Sequence, residues 1–204
     1  MNKTDRIRIE HATVKMENKG GQGVLVPGNY FITATHVVEV IYTGMAVLCQ
    51  PHVELAKAGV ADLVMQICAA EAFQDIAVLE KPDNQVFFDE ADAYNAFCEQ
   101  TPPVPVCLTA LKSNVQYRLH LYTHEHKWLQ GTGYVYGRPP HRFIRATFPE
   151  SIKAGTSGSP IVNDKGELVS IVSTTDSGSQ PVVAEVLPVW LLKKIRAAQK
   201  EIGL

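Results

Sequence analysis

The sequence predicts an antiparallel all-β protein, of sandwich or barrel type rather than a parallel sheet wrapped by helices. Two observations carry that expectation. Short runs rich in β-branched and aliphatic residues recur along the chain, and Gly, Pro, Asn or Asp separates them. Only two stretches break the pattern.

The runs come in order. Gly23-Val24-Leu25-Val26 and Tyr30-Phe31-Ile32-Thr33 flank Pro27-Gly28-Asn29, a hairpin signal because Gly and Asn accept positive φ. Ala46-Val47-Leu48-Cys49, Asp75-Ile76-Ala77-Val78-Leu79 and Tyr117-Arg118-Leu119-His120-Leu121-Tyr122 follow. Ile161-Val162 and Leu168-Val169-Ser170-Ile171-Val172 enclose a second turn, Asn163-Asp164-Lys165-Gly166. The first exception is Ala91 to Glu99, Ala-rich enough for a helical turn, which runs into Thr101-Pro102-Pro103-Val104-Pro105. Three prolines forbid a helix interior and suit an extended connector. That connector divides the chain into two halves, residues 1–100 and 101–204. The second exception is Pro188 to Ile202, where Leu191, Ile195 and Ala198 recur at helical spacing beside Trp190. Pro188 suits a helix start and Gly203 follows its end.

Composition narrows the function classes. The 204 residues are 46 % hydrophobic and carry a net charge of −2, so no basic field draws the chain to nucleic acid or an anionic membrane. The polar segment Met1-Asn2-Lys3-Thr4-Asp5-Arg6 and the lack of a long apolar run lead to a cytoplasmic expectation. Cys49, Cys68, Cys98 and Cys107 form no CxxC pair and are expected as reduced, mostly buried thiols, with Cys98 and Cys107 the one pair to check for a bridge. His120, His124 and His126 alternate along a strand or hairpin. With no third ligand at a recognisable spacing they are expected as exposed strand residues, and neither metal nor cofactor is expected.

Chemistry concentrates in three segments. In Gly155-Thr156-Ser157-Gly158-Ser159-Pro160, two glycines bracket a serine and permit a tight loop that turns the N–H groups of Gly155 and Ser157 towards one point, an oxyanion hole. In Phe31-Ile32-Thr33-Ala34-Thr35-His36, an imidazole ends an apolar strand, rigidly held yet able to reach a cleft and to act as base. Asp75 opens an apolar strand, where a carboxylate needs a partner such as an imidazole N–H. The order His36, Asp75, Ser157 differs from those of the α/β-hydrolases and the subtilisins.

Thr33-Ala34-Thr35-His36 resembles the T-A-A-H motif of trypsin/chymotrypsin-like serine proteases, Asp75-Ile76-Ala77-Val78-Leu79 their D-I-A-L-L, and Gly155-Thr156-Ser157-Gly158-Ser159-Pro160 their G-D-S-G-G-P. Leu168 to Ser173 is similar to their L-x-G-I-V-S strand, and Gly21-Gln22-Gly23-Val24-Leu25-Val26 to the hairpin that precedes the histidine. The resemblance implies two six-stranded antiparallel β-barrels followed by the C-terminal helix. It also implies a His36–Asp75–Ser157 triad and an endopeptidase working without cofactor. Ser173 would help hold Asp75, and Ser173, Thr174 and Thr175 would pair with substrate backbone. Ser151, Thr175 and Val182 would line the primary pocket. None of these is acidic, so cleavage after small aliphatic residues is expected rather than after Arg or Lys, with Glu150 the nearby acid that a one-residue shift would bring in.

Secreted relatives carry an aspartate before the serine to receive a new N-terminus; here Thr156 stands there, and Val37 replaces a disulfide cysteine. The pattern is closer to bacterial, organellar and viral trypsin-like peptidases, and no activating cut of the trypsin type is expected. The expected partners are a protein or peptide substrate and, in one version, an activating protein that orders the oxyanion loop. The alternative to an active enzyme is a catalytically silent protease fold that captures peptides or proteins.

Overall fold

The computed structural model describes the chain except residues 17–19, 39–40, 44–45, 49–54, 58–62, 84, 139–140, 174–181 and 202–204. Two six-stranded antiparallel sheets dominate it, one from each half of the chain. In the first, β1 (Thr13–Lys15), β2 (Gln22–Val26), β3 (Tyr30–Thr33), β6 (Leu55–Lys57), β7 (Val64–Glu71) and β8 (Ile76–Glu80) lie in the order β1-β2-β3-β8-β7-β6. A separate hairpin joins β4 (Ile41–Thr43) to β5 (Ala46–Leu48). In the second, β9 (Gln116–Tyr122), β10 (Trp128–Arg138), β11 (His141–Thr147), β12 (Pro160–Val162), β13 (Leu168–Ile171) and β14 (Val182–Glu185) lie in the order β13-β12-β9-β10-β11-β14. Among the described residues no ladder joins the first strand of either sheet to the last, so the expected barrels are hydrogen-bonded as open sheets.

Burial follows from what covers each face. Every residue of β2 is buried, as are Phe31 to Thr33 and Ile76 to Leu79. Their apolar side chains join one core cluster with Tyr94, with Val162, Leu168 and Ile171 of the second sheet, and with Leu191 and Ile195. A strand covered on both faces needs an unbroken apolar run, and Val24-Leu25-Val26 supplies one. The β10–β11 hairpin has one wet face instead. Leu129, Val135, Ile144 and Ala146 point into a second core while Gln130, Thr132, Tyr134 and Arg145 face water. Both expected hairpin turns form, with Gly28 at φ 91°, Asn29 at 55° and Gly166 at 72°.

The connector is extended and bonded on both sides. Val104 donates its N–H to the Leu25 carbonyl (2.9 Å), while Leu168 donates to Pro105 (2.7 Å) and Cys107 to Leu168 (2.9 Å). The expected helical turn before it is a longer helix, α2 (Phe88–Gln100), whose Tyr94 packs edge-on against Phe31 with centroids 6.0 Å apart. The terminal helix α3 (Val189–Glu201) forms as expected and buries Leu191 and Ile195.

A helix not expected from the sequence, α1 (Lys3–Ala12), precedes β1. Its signals are local: the Asn2 side chain caps the Asp5 N–H at 2.8 Å, Asp5 sits in the first turn and His11 in the last. It buries only Ile9 and Ala12, so the apolar stripe that marks an amphipathic helix is missing. No described helix is long and apolar enough to cross a membrane.

Cys68, Cys98 and Cys107 are free thiols, so the Cys98–Cys107 bridge does not form; Cys49 lies outside the described residues. Burial pushes the Cys98 thiol up to about 12, and burial followed by the charge of Glu80 pushes Cys68 up to about 11, from an ordinary 9.0. The folded chain thus holds these protons more tightly than the unfolded chain. Their contribution to stability is fully present below pH 9 and is lost as pH rises from there towards 12. Urea melts at pH 8 and pH 10.5 should show a drop in midpoint in the wild type that is smaller in Cys98→Ala; an equal drop in both would refute the assignment.

Candidate active site

β3 stops at Thr33, and the chain then makes a single 3₁₀ turn over Thr35–Val37. Thr35 and Val37 are buried, which leaves the intervening His36 directed outwards, its side chain 48 % exposed. Strand pairing continues past the Thr33–Ala77 register, since Thr35 donates its N–H to the Asp75 carbonyl at 3.1 Å. Asp75 is thereby fixed opposite the histidine turn. It does not open the strand in extended form; it closes the preceding turn at φ 51°, a left-handed conformation costing about 1–3 kcal/mol for a non-glycine residue.

The strained backbone returns the Asp75 carboxylate to His36. Oδ1 accepts the His36 backbone N–H at 3.0 Å, and Oδ2 accepts the Nδ1–H at 2.7 Å. Ser173 Oγ donates to the same Oδ2 at 2.8 Å. An imidazole that donates through Nδ1 keeps its lone pair on Nε2, the tautomer a general base requires.

The serine arrives from the second sheet. Gly155 (φ 92°) and Gly158 (φ 78°) shape the loop, as the sequence leads one to expect. The loop is clamped between the two halves: Ser157 accepts the Gln22 N–H on its carbonyl at 2.8 Å, Gly158 donates to Val172 at 2.7 Å and Val172 donates to Ser159 at 2.9 Å. Val172 leads directly into Ser173, so the serine loop is stitched to the residue that holds Asp75. From the other side, a Cβ on Gly21 would stand 2.8 Å from both the Ser157 carbonyl and the Val37 side chain. The serine backbone and the histidine turn are therefore neighbours across one glycine. Among the described residues, neither the Gly155 nor the Ser157 amide donates to another backbone carbonyl, which leaves both available to an incoming oxygen.

Gln22 was not singled out from the sequence, yet it joins the halves. Only 3 % exposed, it accepts from Ser159 Oγ on its side chain and from Thr33 Oγ1 on its carbonyl (2.6 Å), while its N–H holds Ser157. The available signal was an amide set between two glycines in an otherwise apolar strand, a group costly to bury without partners.

Of the residues assigned to substrate contact, Ser173 is in place beside Asp75, and Ser151 is exposed on the approach to the serine loop. Val182 is fully buried in the second core. Thr174 and Thr175 lie outside the described residues. Of the three alternating histidines, His126 is exposed as expected, though in a turn rather than a strand, whereas His120 is buried and His124 half-buried. His120 is buried and pairs through Nε2 with Asp164 at 2.8 Å, His124 Nδ1 lies 2.8 Å from Thr156 Oγ1, and His126 Nδ1 lies 2.9 Å from the Tyr122 hydroxyl. His120 and His124 meet polar partners 44 and 32 residues further along the chain, which period-2 alternation does not encode. No group of three His, Cys, Asp or Glu able to hold a metal occurs among the described residues.

The close approach of the loop makes a separable prediction. A Cβ on Gly158 would stand 1.9 Å from the Gln22 carbonyl oxygen at φ 78°, whereas Gly20 has a similar φ of 75° and nothing within 4 Å. Gly20→Ala should cost only the left-handed term of ~1–2 kcal/mol. Gly158→Ala should add ~1–3 kcal/mol of overpacking. Urea unfolding of the two variants checks this, and equal losses would contradict the packing described.

A sequence profile described as Trypsin matches residues 3–190. Among curated proteins none matches this chain in sequence. Similar solved structures include the inactive form of the Rv3671c protease of M. tuberculosis, at 14 % identity and TM-score 0.51, covering 98 % of this chain and 93 % of that one. The HtrA-type protease AlgW with a tripeptide has 15 % identity and TM-score 0.57, with 100 % of this chain covered. The serine endoprotease from Yersinia pestis has 16 % identity and TM-score 0.52, with 97 % covered. The chain spans 65 % and 66 % of the length of those last two. At such identities the structures speak for the fold, a chymotrypsin-like one of two antiparallel sheets and a C-terminal helix. The profile spans nearly the whole chain, and the chain belongs to the trypsin family of serine endopeptidases.

Proposed function

We propose that the chain cleaves peptide bonds through an acyl-enzyme on Ser157, with His36 as base and acid and Asp75 as the carboxylate that orients it. The observation that carries this is the Asp75 carboxylate, fixed by the His36 amide, the His36 ring and Ser173 beside a serine loop bonded to both sheets. On this reading residues 1–100 supply the imidazole and carboxylate, and residues 101–204 the nucleophile.

The steps follow from the groups present. Ser157 Oγ attacks the scissile carbonyl while Nε2 of His36 takes its proton. Negative charge then collects on the former carbonyl oxygen, where the amides of Gly155 and Ser157 receive it; losing one such donor costs ~10²–10³ in rate. The imidazolium is stabilised by Asp75 and returns the proton to the leaving amine. Water, deprotonated by the same imidazole, releases the acyl group. Substrate backbone pairs with the segment that begins at Ser173, adding a strand to the sheet edge. Ser151, at the approach to the loop, gives the primary pocket a small and uncharged base.

Labelling by a fluorophosphonate probe tests the reading. The wild type should be labelled and Ser157→Ala should not, and Asp75→Asn should lose about 10⁴ in kcat through the wrong imidazole tautomer, the magnitude being that of the family's own worked template. A folded wild type that the probe leaves unmodified would favour the silent binding module. Labelling that needs a second protein from lysate would favour partner activation.

Cleavage of a peptide library should centre on alanine and valine before the scissile bond. Strong cleavage after Arg would overturn the pocket assignment and bring in Glu150.

A further inference from the structure

Thr156 stands between the two amides assigned to the oxyanion hole and is 1 % exposed. A buried hydroxyl needs a partner, and its partner comes from the β9–β10 turn: His124 Nδ1 lies 2.8 Å from Thr156 Oγ1. The same ring lies under the preceding residue, where a Cβ on Gly155 would come 3.3 Å from His124 Cδ2. One residue further along the turn, Glu125 forms an ion pair of 2.5 Å with Lys153, at the start of the serine loop. That exposed pair contributes little by itself, so the half-buried bond is the specific link.

The turn is a firm platform. Thr123 donates to the Lys127 carbonyl (2.9 Å) and His126 to the Thr123 carbonyl (3.0 Å), while Tyr122 stacks at a tilt on Trp128 with centroids 5.2 Å apart. Trp128 Nε1 donates to Glu10 of α1 at 2.6 Å, and the Arg6 guanidinium lies 5.7 Å from its ring centroid. The far side of the serine loop is held by Gln22 and Val172; its near side, on which the direction of the 155–156–157 peptides depends, is held by His124.

We propose that His124 is a positioning residue for the oxyanion-binding amides, acting through Thr156 and braced by the β9–β10 turn and α1. It thus takes the place of the covalent activation step that the threonine at position 156 makes unusable. The proposal rests on the assignment of Ser157 as the nucleophile. It predicts an effect on the transition state and little on the bound substrate, because the amides meet full negative charge only after attack.

The test compares wild type with His124→Ala, His124→Asn, Thr156→Val and Thr156→Ser. It uses a tripeptide p-nitroanilide ending in alanine, the matching peptide aldehyde, and the product peptide. His124→Ala and Thr156→Val should lower kcat by about 10–100-fold, below the loss of a whole donor. KM and product-peptide affinity should stay within about twofold, and aldehyde affinity should fall in step with kcat. Asn retains a polar atom near the Nδ1 position and Ser retains the hydroxyl, so these two variants should recover most of the loss. Unchanged kcat, a change confined to KM, or Thr156→Ser no better than Thr156→Val would overturn the proposal.

Amide hydrogen exchange supplies a reading independent of turnover. Exchange over residues 153–158 should accelerate in His124→Ala and Thr156→Val and stay unchanged over 160–172. Faster exchange in a chain whose wild type neither cleaves nor takes the probe would reject the nucleophile assignment and keep the brace. Unchanged exchange would reject the brace.

Discussion

The carbonyl of Ser157 accepts the amide hydrogen of Gln22, and the serine loop meets the histidine turn because the two halves approach closely enough for that bond to form. A β2 amide that would otherwise face a neighbouring strand is used to hold a loop from the other sheet. The approach is possible only because Gly21 and Gly158 present no Cβ at the contact: one at 158 would sit 1.9 Å from the Gln22 carbonyl oxygen. The glycines of the G-x-G hairpin and of the serine loop are thus two sides of a single backbone-to-backbone junction.

Beneath that junction lies a layer of buried polar side chains in an otherwise apolar seam. Gln22, Thr33, Ser159 and Ser173 are all buried, and each bonds to a group from another segment. Leaving any one of them unpartnered would cost about 1–3 kcal/mol, so the network specifies a single relative placement of the halves more sharply than apolar packing does. The first core cluster has the complementary role. It takes Val24 and Phe31 from one half and Val162 and Leu168 from the other, and supplies the non-directional attraction that the polar layer then aligns.

Left-handed backbone occurs at Asn29, Asn114 and His126 as well, but at Asp75 it serves the site. Asp75 holds a left-handed backbone, and its carboxylate gains three donors in return. An extended residue at that position would present its side chain to one face of β8 rather than back to the histidine turn, because successive strand residues point to opposite faces. The contrast with His120 is instructive: it sits within a regular strand, is buried, and pairs with an aspartate in the β12–β13 turn.

The alternation of short apolar runs with Gly, Pro and Asn turns was enough to read antiparallel sheets, both hairpins, the extended connector and the C-terminal helix, because those are set by local backbone preference and by which faces are covered. The helix at residues 3–12 escaped because its stability comes from capping and from contacts with Trp128 and residue 166 far along the chain, not from an apolar stripe. The histidine, aspartate and serine segments could be recognised singly by residue type and order. Sequence by itself determined which side chains have the chemistry for acyl transfer. Only the tertiary structure decided that Gln22 would join the halves, that Asp75 would turn back to His36, and that His124 would meet Thr156, since each depends on distances between segments that chain-local preferences do not set.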